Sequence, residues 1–373
     1  MVAAENQALK VQVATLKKEN ADTVFALQNE VADKSLKNKE ILQENAKLKK
    51  TSQQPTTASF SVKSVRGSKI KNNFRYYTGF VYKQFLCILN FLVPNLKDKE
   101  LPFKMKKTIT SALKLKIEDQ LLLVLIKLRL NLQFHHLGNL FNMSPQDTGA
   151  LFREWINYMF YRFGSVPLCP PRATLINMMP KQFRKDFPRT MIILDGTEIK
   201  LQKPSALRSQ SQFYSDYKSC TTLKALVGVD PRGSFTFISM LFTGGTSDNE
   251  ITAKSGLLDM LKQMLECGRL QIGDEVMVDK GFLIRNEIEN LGLKLVIPPF
   301  ASGTEQMPQA DVALTQKIAK HRIHVERAIS RAKKFKIVDH RVDMSLFPSI
   351  NQIWFCCCFL TGFMPLLIKD KEN

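Results

Sequence analysis

The feature that most restricts what this chain can fold into begins after Pro180, where the sequence breaks into short apolar runs bounded by turn residues. Two of these runs lead straight into an aspartate: MIIL (191–194) before Asp195, and EVMV (275–278) before Asp279. Between them, TLKALVGV (222–229) and SFTFISMLF (234–242) flank Pro231, Arg232 and Gly233 and read as a hairpin. A helix is predicted at roughly 250–266, a shorter one near 283–290, a strand LKLVI at 293–297, and a long helix over about 312–334.

The resulting order is β, β, β, α, β, α, β, α. Three antiparallel strands followed by parallel additions is the plan of an RNase H-like mixed sheet with flanking helices, an α/β fold. In such sheets ligands bind beyond the carboxyl ends of strands. Asp195 is expected at the end of the first strand and Asp279 at the end of the fourth. Glu326, on the last helix, is expected to point a third carboxylate at the other two. Each acid alone has an ordinary explanation. Asp195-Gly196 is a common turn pair, Asp279 fits a surface loop, and Glu326 fits a helical ion pair with Arg322 four residues earlier.

Together, the three carboxylates suit phosphodiester chemistry. Two divalent ions about 3.5–4 Å apart stabilise the entering and leaving oxygens of an in-line displacement. Mg²⁺ takes hard oxygen ligands and keeps several waters, so a few carboxylates suffice. Asp195, Asp279 and Glu326 are therefore predicted as both the catalytic and the metal-binding residues, with two Mg²⁺ or Mn²⁺ ions.

Upstream, IEDQLLLVLIKLRL reads as a buried helix and FHHLGNLF as a short second one. Asn142 and Met143 then form a turn, with Ser144 at an N-cap, Pro145 at the first helical position and Asp147 at the third. The third helix, about 145–162, carries Leu151, Trp155, Ile156 and Met159 at helical spacing. This is the layout of a helix-turn-helix, over about 117–163. Gln146, Thr148 and Arg153 are its expected DNA-facing groups. Residues 1–50 carry imperfect apolar heptads with Asn20 on the seam, as in a dimeric coiled coil. Residues 51–73 read as a linker that ends in a basic, aromatic segment. The expected organisation is a coiled-coil helix (1–50), linker (51–73), helical region (74–180), RNase H-like domain (181–368) and tail (369–373).

Lys and Arg outnumber Asp and Glu by 54 to 34, a net charge of +20 that favours a polyanionic partner. The seven cysteines include no CxxC pair, so neither a zinc finger nor a disulfide framework is readable, and reduced thiols in cytosol or nucleus fit best. The N-terminus has no apolar signal region. Met344 to Ile368 carries no charge, but its Pro348, Asn351, Gln352, Gly362 and Pro365 favour a buried core helix over a membrane span.

Several long stretches resemble the PIF/Harbinger branch of DDE transposases, including the animal group related to THAP-type transposases. They are LDGTEI around Asp195, LRSQSQFYSDYKSCTTLKALVGVDPRG, GGTSDNEIT, VDKGF around Asp279 and IAKHRIHVERAISRAKKF around Glu326. The upstream helical stretch resembles the helix-turn-helix that precedes the nuclease in that family. The resemblance covers about 74–368. It implies metal-dependent cutting of DNA at transposon ends and joining of the 3′ ends to a target, in the nucleus, with Asp195, Asp279 and Glu326 as the DDE acids. Asp248 is also a family position, expected to support the site as a loop or helix-cap acid. His321, Arg322, His324, Arg327, Arg331, Lys333 and Lys334 lie where a helix would meet phosphate. Relatives often begin with a zinc-bearing THAP domain. The heptads here fit a homo-oligomer, and also a chain that works with a separate DNA-binding partner protein. A catalytically silent DNA-binding or scaffold protein of transposase origin is the competing expectation, which the presence of all three acids disfavours.

Overall fold

A computed structural model describes residues 60–94, 115–282, 284–299 and 308–368, together with Lys34 and Lys37. The chain divides into two compact units, Met1–Ser59 and Phe60–Asn373. Of the first, only Lys34 and Lys37 are described, both helical. The coiled coil expected over 1–50 and the tail expected over 369–373 otherwise lie outside the described residues.

The second unit opens with three helices: α1 (Val62–Arg66), α2 (Asn73–Thr78) and α3 (Tyr82–Leu92). Part of the expected linker is therefore structured. Ser61 caps α1, Val62 and Val65 are buried, and Val62 N–H donates to Asp119 Oδ1 at 2.7 Å. These two valines, spaced to share one helix face, outweigh the polar composition around them.

The helix-turn-helix follows as α4 (Ile117–Leu130), α5 (Phe134–Phe141) and α6 (Pro145–Gly164). Helix α4 is buried on all sides from Leu121 to Ile126, as its unbroken apolar run requires. The turn forms as the sequence predicts: Asn142 adopts φ +55°, and Ser144 Oγ accepts from Asp147 N–H at 3.0 Å. Gly138 makes the tight approach possible, since a Cβ there would stand 2.5 Å from the Met143 carbonyl oxygen. Two short helices, α7 (Arg172–Asn177) and α8 (Lys181–Asp186), lead to the sheet.

Strand β1 (Thr190–Lys200) is central, and Met191 to Leu194 are buried as expected of a strand covered on both faces. Helix α9 (Leu207–Phe213) and the short β2 (Tyr214–Ser215) precede β3 (Cys220–Val229), β4 (Phe235–Ile238) and β5 (Phe242–Thr243). Next come α10 (Asp248–Lys254), α11 (Leu257–Glu266), β6 (Glu275–Met277), α12 (Arg285–Asn290) and β7 (Lys294–Val296). The long α13 (Gln309–Ala332), the short α14 (Lys336–Asp339) and α15 (Ile350–Leu360) complete the unit.

The sheet order is β2-β3-β1-β6-β7, with β4 and β5 also pairing β3. Strand β3 is antiparallel to β1, β4 and β5, whereas β1, β6 and β7 run parallel. This mixed α/β sheet with flanking helices is RNase H-like. Three local expectations change. Strand β1 does not stop at Asp195, because antiparallel pairing with β3 carries it through Gly196↔Leu226 to Lys200↔Thr222. The strand expected over 234–242 is split at Ser239, whose hydroxyl accepts from Leu226 N–H at 2.9 Å. The helix expected at 250–266 is broken at Gly256, with φ +79°.

Helix α15 packs on α6, where the rings of Phe163 and Phe359 stack with centroids 4.3 Å apart. Ile353, Trp354 and Cys356 to Cys358 are buried within the fold. The Met344–Phe363 stretch is long and apolar enough to cross a bilayer by composition, and here it forms part of the core. All seven cysteines are free.

Candidate active site

Parallel pairing between β1 and β6 ends at Ile193↔Met277. Asp195 lies two residues further along β1, and Asp279 two residues beyond the end of β6. Each carboxylate is held by the next backbone amide: Gly196 N–H donates to Asp195 Oδ1 at 3.0 Å, and Lys280 N–H to Asp279 Oδ1 at 2.8 Å. Helix α13 passes this edge and brings Glu326. Asp195, Asp279, Glu326 and Asp248 all line one cleft of about 600 Å³. Asp195 and Glu326 also line a second cleft of about 560 Å³, whose other walls include Arg129, Lys333, Lys334 and Lys336. The two acids thus stand between hollows edged with basic side chains.

The electrostatics centre on Arg322, one helical turn before Glu326. Its Nη2 lies 3.5 Å from Asp195 Oδ1 and its Nη1 3.0 Å from Asp279 Oδ1. The ordinary alternative for Glu326, an ion pair with Arg322, is not formed: Arg322 bridges the two aspartates instead, because two carboxylates at a strand edge attract the guanidinium more than one exposed glutamate. Arg322 is therefore not free to meet phosphate in this arrangement. Its buried Nε–H has no hydrogen-bond partner among the described residues, so the aspartates do not satisfy the side chain fully. Burial pushes the Asp195 carboxyl up to about 6. Arg322 and the Gly196 amide oppose that rise, and the Glu326 and Asp279 charges add to it.

Among the described residues, no three His, Cys, Asp or Glu side chains stand close enough to hold one metal ion. The donor chemistry nonetheless fits a divalent cation. The acids supply only hard oxygens, and the gap between two of them already holds a positive charge, that of Arg322. Exchange of that guanidinium for an ion is the rearrangement the fit requires.

Of the supporting residues, Asp248 sits in the first turn of α10 beside the cap Ser247, exposed, with Oδ1 3.9 Å from Lys224 Nζ. Gln146 and Arg153 are exposed on α6. Thr148 is a correction. It is fully buried and its hydroxyl donates to the Ser144 carbonyl at 2.8 Å, because the Gly138 contact draws that turn into the core. Arg327 and Lys334 are exposed. Lys333 lines both clefts and its Nζ donates to the Glu198 carbonyl at 2.9 Å. Arg331 is turned away, donating to the Pro365 carbonyl, so its expected phosphate role is replaced by a structural one. His321 is likewise buried between Phe183 and Phe187, near Asp186, and burial lowers His324 to about 4.

Sequence reasoning missed the Arg322 bridge, Arg129, Lys224, and the contacts of Glu198. Arg322 offered only an i, i+4 spacing, which points to Glu326. The others come from distant elements and carry no local signal.

Comparison with curated proteins gives no match. Residues 113–165 match the family described as the helix-turn-helix of DDE superfamily endonuclease. Residues 194–362, which span Asp195, Asp248, Asp279 and Glu326, match the DDE superfamily endonuclease family, whose members generally use divalent metals. This chain carries a DDE superfamily endonuclease domain preceded by the helix-turn-helix that accompanies it.

Proposed function

We propose that the chain is a divalent-metal-dependent DNA endonuclease of the transposase type, of the PIF/Harbinger branch, with Asp195, Asp279 and Glu326 as ligands for two Mg²⁺ or Mn²⁺ ions. The observation that supports this reading is that these three carboxylates, from β1, the end of β6 and α13, line one cleft inside the matched endonuclease region. When bound, the ions would stabilise charge on the entering and leaving oxygens and make a nucleophile of water or a 3′-hydroxyl. Asp195 and Asp279 would hold the cation in the place that Arg322 takes between them. Arg322, so released, would offer the substrate phosphate a planar guanidinium suited to two parallel hydrogen bonds. Lys224 and Lys333 hold positive charge at the cleft wall and favour the polyanionic strand. The helix-turn-helix supplies DNA contact through Gln146 and Arg153. A DNA substrate, together with the heptads over 1–50, favours a nuclear homo-oligomer.

One observation favours a second reading, a catalytically silent DNA-binding protein. Arg322 engages both aspartates, and no three-residue metal group is assembled among the described residues. Nicking of supercoiled plasmid in Mg²⁺ or Mn²⁺, with Mn²⁺ binding measured by calorimetry, separates the two. The endonuclease reading expects nicking by the wild type and none by Asp195→Ala or Glu326→Ala. Folded wild type that binds DNA but neither binds Mn²⁺ nor nicks overturns it in favour of the silent protein.

A further inference from the structure

The active-site cleft has one wall that the metal chemistry does not use. Tyr217 lines the same cleft as Asp195, Asp279 and Glu326, yet 81% of its surface is exposed. It sits in the four-residue turn Asp216–Ser219 between β2 and β3, which pair through Tyr214↔Thr221 and Ser215↔Cys220.

The turn is tied down. Ser219 adopts φ +50°, Ser219 N–H donates to the Asp216 carbonyl at 3.4 Å, and Lys218 N–H donates to Ser215 Oγ at 3.3 Å. Glu198, on β1, fastens the hairpin from below. One of its oxygens accepts from Ser215 Oγ at 3.1 Å and the other from Thr222 Oγ1 at 2.6 Å. The ring is thus presented on a short hairpin anchored to Glu198, which lies three residues along β1 from Asp195. The Lys218 ammonium lies 4.3 Å from the ring centroid, and Lys224 and Lys333 line the cleft below.

Lys218 covers one face of the ring, and the 81% exposure leaves the rest of it open; an exposed aromatic ring among lysines is the combination that binds unpaired nucleotides, with the free face stacking on a base and the ammonium groups meeting phosphate. The hollow of about 600 Å³ is within the size range of pockets that take a small molecule, a single nucleotide included. We propose that Tyr217 is a stacking platform for an unpaired base of the DNA strand whose phosphate lies at the three carboxylates, with Glu198 as the positioning residue for its hairpin. This rests on the endonuclease reading and deepens it: the preferred substrate has unpaired nucleotides next to the scissile bond.

The test is binding of the full-length protein, in EDTA so that no cutting occurs, to two fluorescent DNAs. One is a duplex with a short single-stranded gap containing 2-aminopurine, and the other is the matching unbroken duplex. The wild type is expected to favour the gapped DNA and quench the 2-aminopurine. Tyr217→Ala is expected to lose about tenfold in affinity for the gapped DNA, with the quench abolished and duplex affinity unchanged. Tyr217→Phe keeps both properties, because stacking needs the ring and not the hydroxyl. Equal weakening on both DNAs, an unchanged quench in Tyr217→Ala, or a Tyr217→Phe as weak as the alanine variant overturns the proposal while leaving the nuclease reading intact. A wild type that binds the two DNAs equally, or binds neither, overturns the stacking proposal; the nuclease reading falls only to its own Mn²⁺-binding and nicking test.

Discussion

Replacing Asp195 should make this protein more stable, and the size of the gain follows from the cleft. The Asp195 side chain keeps 20% of its exposure, and burial pushes its carboxyl up to about 6, against about 3.9 for an unperturbed aspartate. Each pH unit of that difference is worth about 1.4 kcal/mol. At pH 7.5 the group is ionised in both the folded and unfolded chain, so keeping it in the cleft costs the fold about 3 kcal/mol. The sign follows from the raised value: the folded state holds the proton more tightly. The penalty is therefore absent below about pH 4, grows between pH 4 and 6, and is complete above that. Asp195→Asn, equal in shape and neutral, is expected to gain up to about 3 kcal/mol at pH 7.5 in EDTA and almost nothing at pH 4. Loss of one Arg322 partner trims the gain, although Asp279 remains at 3.0 Å. Urea unfolding of both proteins at the two pH values measures it. An Asp195→Asn variant no more stable than wild type at pH 7.5, or one with the same gain at both pH values, refutes the reasoning. Under the endonuclease reading, added Mg²⁺ should narrow the difference, since only the wild type would keep all three proposed ligands.

Three further substitutions test the frame around the site. Asp274 is fully buried, receives Arg172 Nε and Nη2 at 2.9 and 2.8 Å and also accepts from Gln271 N–H; Asp274→Ala should cost about 3–5 kcal/mol in urea unfolding by leaving Arg172 uncompensated. Gly138→Ala should cost about 1–3 kcal/mol, because its Cβ would meet the Met143 carbonyl oxygen at 2.5 Å, whereas Gly164→Ala, where the added methyl meets nothing within 4 Å, should be neutral or slightly stabilising in the same assay.

The strands were legible where burial on both faces makes a continuous apolar run, as in MIIL and EVMV. The far half of β1 was not, because Asp-Gly is locally a turn pair and only the long pairing with β3 keeps it extended. The three acids were legible because each follows an apolar run or sits at a definite helical position. The distribution of charge around them was not, since Arg322 chooses between Glu326 on its own helix and two aspartates from the sheet, and that choice is made in three dimensions. Thr148 misled for a similar reason. Residues in the first turn of a recognition helix usually face outward, but a glycine ten residues earlier lets this turn sink into the core.

The stacking of α15 on α6 has a consequence for how the two halves of the molecule work on one DNA. The last helix of the endonuclease region walls in the longest helix of the helix-turn-helix, so under the endonuclease reading the parts that would grip and cut DNA share one packed unit and are not two tools on a tether. The offset between a bound stretch and a severed bond would then be a dimension of the protein itself. Transplanting the helix-turn-helix onto a foreign nuclease would strip it of a wall it needs to stand.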